Sequence, residues 1–118
     1  MIPESNIIAA TSDLSVENFP QGSTTSFPKG IIKRISMTPI KVKDAIVTGQ
    51  YRSRISVLWY AENNLLFDTQ MASLITSIGG ITSASEISNV TYDGRTDGWD
   101  EGTDLKVMNL DFIIKHTL

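Results

Sequence analysis

The chain has 118 residues, of which 41% are hydrophobic and 19% charged, with no cysteine and a formal charge of −3. That length fits one domain with a modest core, and the composition excludes wholesale disorder. The lack of cysteine excludes disulfides and thiolate metal sites, the acidic balance argues against a general nucleic-acid binder, and no apolar run is long enough to span a bilayer.

The start, Met-Ile-Pro-Glu-Ser, has neither the basic start nor the apolar stretch of a signal peptide, so synthesis in the cytoplasm is expected. Residues 1–28 are rich in Ser, Thr and Asn and hold Pro3, Pro20 and Pro28. Ile2–Leu14 has material for a weak helix but shows no clear 3.6-residue period. The region reads as an extended arm with at most one short turn of structure, of a kind that orders against a neighbour. Residues 29–118 are expected to form a single α+β domain.

Ile31–Ile35 reads as a strand with Ile31, Lys33 and Ile35 on one face. Met37–Gly49 reads as a long connection, broken by Pro39 and decorated by Lys41 and Lys43. Its β-branched pairs, Ile40/Val42 and Ile46/Val47, also fit the two arms of an extended hairpin. Tyr51–Tyr60 is the clearest strand: Tyr51, Ile55, Val57 and Trp59 share one face, and Arg52, Arg54, Ser56, Leu58 and Tyr60 the other. Phe67, Met71, Leu74, Ile75 and Ile78 then recur at helical spacing. Asn63 or Asn64 is expected to cap that helix, and Gly79-Gly80 to end it in a left-handed turn.

Ile87–Arg95 reads as a further strand. Asp93–Gly102, with its Asp-Gly pairs, reads as a turn. The last strand, Leu105–Thr117, alternates strongly, with Met108, Leu110, Phe112 and Ile114 on one face. The order is arm–β–β–α–β–β. The expected fold is a small mixed, mainly antiparallel sheet packed against one main amphipathic helix, its final two strands paired antiparallel. The sheet face bearing Arg52, Arg54, Asn109, Asp111 and Lys115 is left for solvent or a partner.

Little points to catalysis. His116, two residues from the end, has no second His or Cys to join it and reads as a surface or edge histidine. Neither phosphate-cradling glycine motif occurs. Trp59 shares its face with Ile55 and Val57, which points to core packing rather than base stacking. Asp93, Asp97, Asp100, Glu101 and Asp104 offer oxygen ligands, but an EF-hand register started at Asp93 meets Arg95 at its third position. No enzyme activity and no cofactor are expected; a small cation-dependent binding module using the turn at 93–104 is an alternative of another class.

Charge distribution says more than its sum. Lys29, Lys33, Arg34, Lys41, Lys43, Arg52 and Arg54 fall in a stretch with one acid, Asp44. Glu86, Asp93, Asp97, Asp100, Glu101 and Asp104 fall in a stretch with one base, Arg95. Two readings stand side by side: a solvated surface with chance clustering, and a head-to-tail contact between identical subunits in which unlike patches meet. The candidate subunit or tube interface comprises Lys33, Arg34, Lys41, Lys43, Arg52, Arg54, Asp93, Arg95, Asp97, Trp99, Asp100 and Glu101.

From Phe27 to Leu118 the order of features is distinctive. Phe27-Pro28 leads into a strand, followed by a long loop, an aromatic-containing strand and a single helix. Then come Tyr92, Arg95 and Asp97 in a Tyr-x-x-Arg-x-Asp segment, Trp99, Asp104-Leu105 and the alternating last strand. This order resembles the tail terminators of lambda-like bacteriophages. The resemblance implies a virion protein that forms a hexameric ring on the tail tube, stops its polymerisation and meets a neck or head-completion protein, with DNA passing through the lumen and no membrane partner. It places Lys41 and Lys43 on a loop facing the tube or the lumen. Such proteins open with an amphipathic helix ahead of the first strand. Related neck, tail-completion and tube subunits share small sheet-plus-helix folds and are the alternatives within this class.

Overall fold

The computed structural model describes residues 2–11, 14–16, 29–43, 45–102 and 104–117. Helix α1 (Glu4–Ala10) and strand β1 (Leu14–Val16) precede β2 (Lys29–Val42) and β3 (Ala45–Ala61). Helix α2 (Phe67–Gly79) follows and tightens into a 3-10 turn (Gly80–Ser83); β4 (Ile87–Asp100) and β5 (Leu105–His116) complete the chain. The strands form one sheet in the order β1-β2-β3-β5-β4, antiparallel apart from the β1–β2 pair. The fold is therefore α+β, a mainly antiparallel sheet with one main helix, as the patterning implies. Within the expected arm, α1 and β1 are regular structure; residues 1, 12–13 and 17–28 lie outside the described residues.

Alternation decides which sheet face is covered. Ile55, Val57 and Trp59 of β3 and Met108, Leu110, Phe112 and Ile114 of β5 point to one side and are buried. Cross-strand register stacks them: Ile32 opposes Val57, which opposes Leu110, and Ile55 opposes Phe112. The stripe of α2 closes over them with Phe67, Leu74 and Ile78, and α1 adds Ile7, which is fully buried. Burying side chains of this size contributes about 1.5–3 kcal/mol each, which offsets the entropy of ordering the sheet. Trp59 belongs to this core, its indole N–H donating to Gln70 Oε1 of α2 at 3.0 Å.

Several local readings differ from the structure. Of the two readings of 37–49, the structure bears out the extended hairpin rather than a broken connection: the segment belongs to the distal half of the β2–β3 hairpin, with β2 running through Pro39. Register shifts at Arg34/Ser36 and Pro39/Lys41 take up the irregularity, which is where a sheet tolerates proline. The shift at Ile35 leaves that side chain exposed, and Ile32, rather than Ile31 or Ile35, is the core residue of β2. Asn63 does not cap α2: its Oδ1 accepts from Leu65 N, and helix position zero is Leu66, without a side-chain cap. Gly79 and Gly80 are right-handed, because the helix continues as a 3-10 turn instead of reversing.

The largest difference is at Asp93–Gly102. β4 runs through this segment to Asp100, and the turn is confined to the residues between Asp100 and Leu105. A bulge between Tyr92 and Gly94 absorbs the Asp-Gly pair, with Gly94 at φ 145. Two glycine substitutions check these assignments by chemical denaturation. Gly94→Ala has open space for a methyl but the wrong backbone, and a loss of about 1–2 kcal/mol is expected. Gly79→Ala sits in helical geometry with open space and is expected to gain about 0.5–1 kcal/mol. A stabilising Gly94→Ala would contradict the bulge.

Candidate assembly surface

The sheet has two unlike faces. On the face opposite the helices, register aligns Lys33 with Ser56 and Asp111, Ser36 with Arg54 and Ile113, and Thr38 with Arg52 and Lys115. No described element covers this face. It is mixed: Ser56 Oγ donates to Asp111 Oδ1 at 2.7 Å, and Arg54 reaches Asp93 at 3.1 Å, while Lys33 and Arg52 point out, exposed. Half-buried Ile31, Leu58, Val107 and Ile113 interrupt the polar groups.

Three of the expected surface arginines are engaged within the chain. Arg34 lies on the helix side and anchors α1, with Nη2 2.7 Å from the Glu4 carboxylate, which is 2% exposed, and also donating to the Ile2 carbonyl. Asn6 of α1 makes a second tie, donating to Glu86 Oε1 at 2.8 Å and holding that carboxyl below its usual range. Arg95 grips Asp97 with two N–H donors, Nε and Nη2, at 2.7 Å each, and reaches Asp68 of α2 through Nη1 at 2.7 Å. It therefore fastens β4 to the helix. These partners raise the Arg95 pKa further, and hydrogen bonding from Arg95 lowers that of Asp97.

The sign of that shift sets a pH dependence. A carboxyl depressed in the folded state adds stability above its unfolded value of about 3.9, and that stability is lost as pH falls through the folded value. Asp97 is partly solvated, so the contribution is modest. Between pH 5 and about pH 3, unfolding midpoints are expected to fall more for the native chain than for Asp97→Asn; parallel profiles would remove the ion pair from the account.

The remaining candidates sit at two ends of the molecule. β2 and β3 continue past the last β5 partner, Tyr51 opposite His116, as a two-stranded ribbon. Its tip carries Lys41 and Lys43, the latter at φ 51 in the turn, with Val42 and Ile46 exposed at 58% and 61%. Arg52 joins Thr38, Pro39, Ile40 and Lys41 around a shallow depression on this ribbon. At the other end lie Trp99, Asp100, Glu101 and Asp104. Trp99 is 52% exposed but held, its N–H donating to Asp104 Oδ1 at 3.0 Å and its ring 5.8 Å from Lys106 Nζ. Among the described residues no group of three His, Asp or Glu side chains is arranged to hold a metal ion.

His116 differs from its expected surface position. It is fully buried on the helix side, because β5 lies between β3 and β4 and position 116 continues the row of Ile114. Its Nδ1 donates to the Thr117 carbonyl, which leaves Nε2 to accept from Ser53 Oγ at 2.6 Å. Both nitrogens are satisfied in a buried site, so the pair ties the end of β5 to β3. No known family model matches the chain, and no curated protein matches it.

Proposed function

We propose that this chain is a structural virion protein of a tailed bacteriophage, a tail terminator that caps the tail tube as a homo-oligomeric ring and forms the joining surface for the neck. The observation that carries the reading is the ribbon at 39–50. It leaves the sheet with apolar and basic side chains exposed, and an isolated two-stranded ribbon is marginal in water without a partner. Trp99 and Asp100 lie at the end of β3 opposite the ribbon, which supports a contact between unlike surfaces of repeated copies. A helix, α1, ahead of the first strand and the order β2–β3–α2–β4–β5 support this reading, with the short β1 as an addition to the order read from sequence.

The mechanism is geometric. The ring would pair with the last ring of tube protein on one side and with a head-completion protein on the other, passing DNA through its lumen without reading sequence. No described helix is long and apolar enough to cross a membrane. Native mass spectrometry and negative-stain imaging of the purified protein, with co-sedimentation on tail tubes, test this. Closed rings that bind tubes are expected; a monomer at high concentration that ignores tubes would overturn the reading.

A further inference from the structure

Ala61, Lys106 and Trp99 form one cross-strand row, so the loop leaving β3 and the end of β4 share one end of the molecule. β3 is 17 residues long, which at about 3.3 Å per residue places the ribbon tip some 50 Å from that end, in keeping with a longest dimension of 47 Å. The far end exposes three large apolar side chains: Leu65 at 84%, Leu66 at 61% and Trp99 at 52%. The backbone at Leu65 and the ring of Trp99 are held in place. Asn63 braces the Leu65 amide, Leu66 leads directly into α2, and Asp104 and Lys106 fix the Trp99 ring. The strand ends and loops here carry Glu62, Asp100, Glu101 and Asp104 against Lys29 and Lys106, so acids outnumber bases at this end. The ribbon tip offers the reciprocal set, Val42 and Ile46 beside Lys41 and Lys43.

We propose that the ribbon tip of one copy seats on the Leu65–Leu66–Trp99 end of the next. Val42 and Ile46 cover the leucines and the indole, and Lys41 and Lys43 face Glu62, Glu101 and Asp104. Two observations choose a second copy of this chain as the occupant. The apolar surfaces match in kind, and the flanking charges are opposite in sign, which favours this contact and disfavours tip-to-tip or end-to-end pairing. The two surfaces differ, so the contact is heterologous and closes into a ring where the rotation allows. The inference rests on the reading of the chain as a self-assembling ring and names the surfaces that meet.

The native chain has no cysteine, which permits a clean crosslinking test. Val42→Cys and Leu65→Cys are made separately, mixed and oxidised. A mixed disulfide dimer is expected, with little product from either variant alone, and the double variant is expected to give a covalent ladder that ends at the ring size. Dominant Val42→Cys homodimers would overturn the proposal. An uncrosslinked mixture that still forms rings by native mass spectrometry would overturn it and leave the ring reading standing, whereas absence of any oligomer of the native chain removes that reading itself. In parallel, K41E/K43E is expected to weaken self-association at least tenfold, and mixing it with E62K/E101K to restore it. Failure of that rescue with both variants folded counts against the contact.

Discussion

Phe112→Ala is expected to cost about 3–5 kcal/mol, the largest loss from any single truncation in the sheet. Phe112 is 1% exposed at the centre of β5, opposite Ile55 on one side and Tyr92 on the other, with the Tyr92 ring 5.6 Å away. Its removal leaves a cavity between two strands and the helix layer, which a cross-braced sheet cannot collapse to fill. A small domain has about 5–15 kcal/mol of stability in total, so the variant lies near the edge of folding. Phe112→Leu keeps most of the volume and is expected to lose less. Urea denaturation of both reads the difference; a loss below about 1 kcal/mol for the alanine variant would place Phe112 outside the core.

Arg34→Ala is expected to cost about 3 kcal/mol, by a different mechanism. The substitution strands the Glu4 carboxylate, 2% exposed, without its cation. Breaking a buried pair from one side costs about 3–5 kcal/mol; the low end applies because the arginine side chain keeps 25% of its exposure. α1 would loosen, and Ile7 would lose its cover. The double variant Arg34→Met/Glu4→Gln removes both charges and is expected to lose much less than Arg34→Ala. Exposed Lys33→Ala, one position away, is the control, and equal losses at 33 and 34 would refute the anchoring role.

The parts of this fold that can be read from sequence are those in which one period dominates. Tyr51–Tyr60 and Met108–Ile114 alternate with few exceptions (Ser53, Leu58 and Ile113), and Phe67–Ile78 keeps a helical stripe, so their faces follow directly. The distal halves of β2 and β4 are hidden by Pro39, Gly94 and Gly98. These residues carry turn chemistry in isolation, and here they sit in bulges or in a strand whose neighbours supply the pairing. The segregation of charge is also visible in sequence, but its use is not. Arg34, Arg54 and Arg95 reach Glu4, Asp93 and Asp68, 30, 39 and 27 positions away, separations that no local pattern reports; only the Arg95–Asp97 pair, two positions apart, is local. His116 reads as a surface or edge histidine from its position in the sequence, although it shares the parity of Ile114; its buried partner Ser53, 63 positions away, is the feature that lets the core accept an imidazole.

The ribbon also divides the molecule into parts of unequal thermodynamic character. Amides of Tyr51–Ala61 sit between β2 and β5 and are expected to exchange with solvent only through global unfolding. Amides near Lys41 and Ile46 have one neighbouring strand, and opening the ribbon exposes little that was buried. They are expected to exchange in the isolated chain orders of magnitude faster and to become protected on association. Ordering the ribbon then falls within the free energy of association, which moderates affinity per contact while leaving the contact specific. In the proposed ring each ribbon would be held by the next copy, so closure would require every copy to be present.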